Sequence, residues 1–185
     1  AVVYIRASEG RGYIDPDAMR NYNGAKSAGI KVGFYHYLTA RTEAEAIEQA
    51  QFFVSVVKGL SIDCRLAMDF ESFGTLGTYE INRIAKTFLQ EVQMLSGKEV
   101  IIYSDAYNAA YTFSSTLANN YPIWVADYFV SEPGNGNWTV WDGFQYSDRG
   151  RISGIEGNVD RDFFTNKIFL TDSTPIPDDT TSDTP

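Results

Sequence analysis

Residues 65–72 read RLAMDFES, an apolar run that ends in two acids, Asp69 and Glu71. Taken as a buried strand, it turns both carboxylates to one face, because side chains two apart on a strand share a side. Burial penalises the charged form and pushes a carboxyl pKa upward. A glycosidase asks for that in a proton donor working beside a second carboxylate. The same residues also describe an ordinary strand end whose acids pair with Arg or Lys. Other chemistries have less support. The lone histidine, His36, lies inside Tyr35-His36-Tyr37 and reads as a hydrogen-bonded core residue. The chain has no GxSxG elbow, phosphate loop or histidine-rich cluster, so neither cofactor nor metal is expected. Cys64 is alone, which forbids an internal disulfide.

The elements that must position these acids alternate. Strands are expected at residues 2–8, 30–38, 65–72, 99–104, 122–128, 138–147 and 159–164. One helix opens at Asp15-Pro16 and stops near Gly29, and another opens at the capping box Thr42 to Glu45 and ends at Gly59. A third covers 79–96, with apolar residues recurring every three or four, and a weaker one covers 106–118. Residues 129–137 and 149–158 hold proline and glycine where crossover helices would stand, and read as loops. Strands alternating with helices imply a parallel sheet, either open and doubly wound or closed as a barrel. Glu9, Asp69, Glu71, Asp105, Asp127 and Asp148 lie in or just after the C-terminal part of a strand, and Asp160 lies near a strand start. Acids gathered at successive strand ends form one polar mouth, so the barrel is preferred. Aromatic residues close to those ends, among them Tyr35, Tyr103, Trp124 and Tyr128, suit a sugar cleft.

Composition narrows the partners. With 44% hydrophobic residues among 185, the chain has ample core for one domain. The net charge of −9 leaves no basic face for nucleic acid, although Asp172, Asp178, Asp179 and Asp183 belong to the last stretch. No apolar run is long enough to span a bilayer. The expected organisation is a catalytic domain over 1–170, followed by a disordered Thr/Ser/Pro/Asp-rich linker over 171–185. A wall-targeting domain is expected beyond that linker.

RASEG at 6–10, AGIKVGFYHYL at 28–38, QAQFF at 49–53, MDFE at 68–71, IIYS at 101–104, WVADY at 124–128, FQYS at 144–147 and GNVDRDFF at 157–164 together resemble glycoside hydrolase family 25, the Chalaropsis-type lysozymes of bacteria and phages. The resemblance covers all but the acidic tail. It implies an irregular, flattened TIM-like β/α barrel whose last strands lack helices. It also implies hydrolysis of the β-1,4 bond from N-acetylmuramic acid to N-acetylglucosamine in peptidoglycan, outside the cell or at the wall. By position, Glu71 matches the proton donor and Asp69 its partner, which orients or charge-stabilises the acetamido group or activates water. Asp160 matches the acid on the last strand, and Tyr35, Tyr103, Trp124 and Gln145 match cleft-lining positions; Glu9 and Asp127 join the substrate-binding set as rim acids. One departure stands out: the family's first strand, roughly G-I-D-V-S, has no counterpart here, so its aspartate is missing. That leaves either a fragment of a longer chain or a barrel with an open seam between 2–8 and 159–164. The alternative readings are a wall-binding module with impaired catalysis and a chitinase-like hydrolase.

Overall fold

The computed structural model describes residues 1–171; the expected linker, apart from Thr171, falls outside the described residues. Eight strands form one sheet in the order β2-β1-β3-β4-β5-β6-β7-β8: β1 (Val2–Glu9), β2 (Tyr13–Ile14), β3 (Lys31–Tyr37), β4 (Leu66–Asp69), β5 (Val100–Asp105), β6 (Ile123–Ala126), β7 (Gly143–Gly150) and β8 (Val159–Phe164). Pairing is parallel from β1 to β7, and antiparallel for β1 with β2 and for β7 with β8. The sheet curls strongly. Tyr4 on β1 packs its ring 4.8 Å from Trp124 on β6 and 5.5 Å from Phe164 on β8. Among the described residues no ladder joins β1 or β2 to β8, so the wall is a curled half-barrel.

Strand alternation gives this sheet two cores. On the outer face, Phe34, Leu66, Met68, Ile102 and Val125 pack against helices α1 (Ala18–Ser27), α2 (Glu43–Val57) and α3 (Thr78–Ser96). On the inner face, Ala67, Ile101 and Trp124 pack with Tyr4, Tyr35, Tyr103 and Phe164. Two glycines make room for those inner rings. A Cβ on Gly33 would collide with Tyr4, and one on Gly143 would stand 2.7 Å from both Trp124 and Phe164.

His36 faces the outer core, stacked 5.3 Å from Phe88. The Gln49 carbonyl oxygen accepts from its Nε2–H at 3.2 Å, leaving Nδ1 to accept from the Ser8 hydroxyl at 2.9 Å. Burial holds its pKa down to about 4, so it is neutral and structural.

Several boundaries differ from expectation. Strand β4 ends at Asp69, which leaves Glu71 beyond the strand. The hairpin strand β2 had no alternating pattern to announce it, being only two residues long. The expected helix over 106–118 is two short ones, α4 (Ala106–Tyr111) and α5 (Ser115–Ala118), because Asp105 and Ser114 each cap a new start. Helix α1 begins at Ala18, and Asp15 instead accepts the Asp17 N–H at 3.0 Å in the preceding turn. Residues 138–142 are not strand; β7 starts at Gly143 and takes Arg149 and Gly150 from the expected loop.

Candidate active site

The C-terminal ends of β1, β4, β5 and β7 bring Glu9, Asp69, Asp105 and Asp148 to one rim. Because β8 runs antiparallel to β7, with Gly150 opposite Val159, the start of β8 adds Asp160 to the same rim. This end of the sheet is acidic.

Asp69 points into the curl, and its Oδ1 is buried with no hydrogen-bond partner. Burial first, then the charge of Glu71, pushes its pKa up to about 8, against a smaller opposing pull from Arg6. Glu71 is more exposed, and burial followed by the charge of Asp105 raises it too. The charge of Glu71 acts on Asp69, so the two titrate as a unit, and with Asp69 pushed up to about 8 the pair retains a proton at neutral pH. Among the described residues, no salt bridge to Asp69 or Glu71 realises the alternative of a cation-paired strand end. Arg6 is committed elsewhere: its Nε donates to Asp15 at 2.9 Å and its Nη1 lies 3.5 Å from Glu9.

Since Glu71 lies off the strand, other contacts must hold it. Phe70, wholly buried, meets Phe73 edge-on at 4.9 Å and anchors the chain on either side of Glu71. Above them, the Tyr37 hydroxyl lies 3.0 Å from the Ser72 hydroxyl and Arg41 donates to the Ser72 carbonyl. The segment carrying Glu71 is clamped.

The remaining expected residues separate into wall, floor and flank. Tyr35 and Tyr103 line the wall beside the acids: burial and then Asp69 push Tyr35 up to about 12, while burial and then Glu71 raise Tyr103. Asp160 is raised by burial and then by Asp148. Trp124 and Gln145, expected as cleft-lining positions, are only 6% and 3% exposed and form the floor. The Trp124 ring lies edge-on to Tyr103 at 4.8 Å. Gln145 Oε1 accepts from the Tyr103 hydroxyl at 2.9 Å and from the Tyr128 hydroxyl at 2.6 Å. Asp127, just past β6, accepts the Gly134 N–H at 3.0 Å and so closes a loop.

Sequence reasoning missed Asp162. Trp124 Nε1–H donates to its Oδ1 at 2.8 Å, and burial outweighs that bond to push it up to about 7. It stands two residues from Asp160 on β8, so the alternation used for Asp69 and Glu71 would have found it. The Arg41 and Tyr37 clamp carried no comparable signal, because it joins residues more than thirty positions apart. Two concavities of about 290 and 550 Å³ lie against Thr139, Val140, Asp142 and Lys167; neither includes Asp69 or Glu71.

The family model described as glycosyl hydrolases family 25 matches residues 1–155. An autolytic lysozyme of Clostridium acetobutylicum is 39% identical over 171 residues, covering 91% of this chain and 50% of that protein. Lysozyme M1 of Streptomyces globisporus is 34% identical over 178 residues, covering 87% of this chain and 58% of its own length. The chain thus spans about half the length of the curated relatives it matches. The crystal structure of a bacterial lysozyme from Streptomyces coelicolor superposes with a TM-score of 0.73 at 31% identity, covering 87% of this chain and 79% of that one.

Proposed function

This chain belongs to glycosyl hydrolase family 25, and from that premise we propose that it is a lysozyme cutting the β-1,4 bond between N-acetylmuramic acid and N-acetylglucosamine in bacterial peptidoglycan. The observation that carries this reading is Asp69 beside Glu71: a buried carboxyl with an unpartnered oxygen and a pKa pushed up to about 8, next to a second acid also raised. Such a pair can lend a proton at neutral pH.

Glu71 protonates the leaving oxygen. In the free protein the proton favours Asp69, the more buried member. A glycan lying over Glu71 displaces its water, burial then raises Glu71, and the proton passes to the donor's position. Asp69, relieved of it, becomes the carboxylate that orients the acetamido group, charge-stabilises it or activates water. Tyr35 and Tyr103 border the sugar, and Asp160, Glu9 and Asp127 complete the binding rim over a floor of Trp124 and Gln145. The curled sheet serves as the wall of an irregular, TIM-like barrel. The protein works outside the cell or at the wall, where its substrate is, and is bacteriolytic there. Residues 1–170 act as the catalytic domain, and 171–185 tether it to a wall-targeting region.

The test is release of reducing ends from purified cell walls. Glu71→Gln, with its fold intact by circular dichroism, lowers the rate by at least ~100-fold; undiminished release refutes the assignment.

A further inference from the structure

The loop after β6 presents a ring that the fold does not use. Phe129 is 91% exposed, and at φ 66° it is the one non-glycine residue in the left-handed region among the described residues. A bulky residue held there stores strain, and an exposed phenyl gains nothing from burial to offset it. Nor is the loop free to relax. Asp127 ties one side to the Gly134 N–H at 3.0 Å, Pro133 is buried, and Trp141 Nε1–H reaches Glu132 at 3.4 Å. The ring is held out on a fixed support.

Its position gives it a use. Phe129 stands one Cα step, about 3.8 Å, from Tyr128, whose hydroxyl bonds the floor residue Gln145 and whose pKa is raised by burial and then by Asp160. Tyr128 thus lies at the acidic mouth, within the field of Asp160, Asp148 and Glu71, and the exposed ring is its immediate neighbour along the chain. Surrounding carboxylates disfavour an anionic occupant, whereas an uncharged N-acetylhexosamine offers an apolar C–H face to an aromatic ring. We infer that Phe129 is a stacking platform for a sugar of the glycan strand beyond the bond that is cut, making the protein favour long strands over short ones. This rests on the lysozyme reading above.

The experiment compares wild type with F129A, F129G and F129W on purified glycan oligomers of increasing length. For wild type and F129W, kcat/KM rises with length. F129A and F129G lose about three- to tenfold on the longest oligomers and less on the shortest, while F129G raises Tm because glycine adopts the left-handed backbone freely. Equal losses at every length overturn the inference, as does an undiminished rise in F129A. A dimer that F129A disperses, with the length dependence intact, also overturns it and makes the ring a contact between copies. Calorimetric binding of the same oligomers to E71Q, with and without F129A, separates the two readings. If E71Q cuts as wild type does, or neither cuts, the lysozyme reading fails and the binding series alone decides the role of Phe129.

Discussion

Strand β4 has a carboxylate near each end, and the two are held in opposite ways. Asp63, only 8% exposed just before the strand, receives Lys26 Nζ at 2.8 Å, Lys31 Nζ at 3.0 Å and the Val32 N–H at 2.9 Å. Burial alone would raise its pKa, yet the two ammoniums and the backbone donor overturn that and leave it below the usual range. Asp69, at the strand's last position, is also taken out of water but has an unpartnered oxygen and a neighbouring acid instead of donors. One end of the strand spends its acid on stability. The other keeps an acid that stability would not choose, as expected where pKa values are tuned for proton transfer.

That contrast predicts opposite responses to removing the charge. Asp69→Asn lowers kcat/KM by at least ~100-fold, and in the same molecule raises unfolding free energy above pH 8 by ~1–3 kcal/mol. The sign follows from linkage. With a folded pKa of about 8 against ~3.9 unfolded, the folded protein holds the extra proton between those values. Stability therefore declines as pH rises through that window, and the variant loses the decline. Urea titrations at pH 5 and pH 9 check it; equal stability changes at both break the comparison.

Asp63→Asn does the reverse, costing ~2–4 kcal/mol near neutral pH while turnover per folded molecule stays unchanged. Its contribution, from a depressed folded pKa, is present above pH ~4 and lost as pH falls through the folded value. Melting curves between pH 7 and pH 2.5 read it out. A loss of turnover that exceeds the loss of folded protein would mean the two ends of β4 are coupled.

The clamp on the Glu71 segment sharpens the active end. Arg41→Ala lowers kcat by about tenfold with little change in KM, since a small misplacement of the donor affects the chemical step first. Arg41→Lys recovers part of the loss, and a change confined to KM would remove the clamp from catalysis. The smallest effect belongs to His36. Its folded pKa of about 4 lies below the unfolded ~6.5, so its contribution is full above the unfolded value and shrinks as pH falls from there to 4. His36→Gln flattens the stability profile over that window, as thermal melts at pH 7 and pH 4.5 would show.

Strand and helix order was legible because it rests on local patterns: the three-four recurrence of α3, the Thr42 to Glu45 cap of α2 and the β-rich runs of the parallel strands. The acidic rim was legible for the same reason, since parallel strands end on one side and their last residues fall together. Where the pattern was short or weak, the reading slipped. It extended β4 through Ser72, fused α4 with α5 and passed over β2. It found Asp69 and Glu71 but put both on one strand, and it did not show how far the inner core covers Trp124.

Residue types and their spacing were enough to select two acids, an aromatic surround and a repeated strand-helix order, because those are properties of neighbours along the chain. Which acid keeps a proton was decided in three dimensions. Asp69 has its second acid two residues along the chain, but only folding brings Lys26 and Lys31 to Asp63 and leaves an oxygen of Asp69 buried without a donor. Charge acts through space, and its sign at a site depends on what folding brings near.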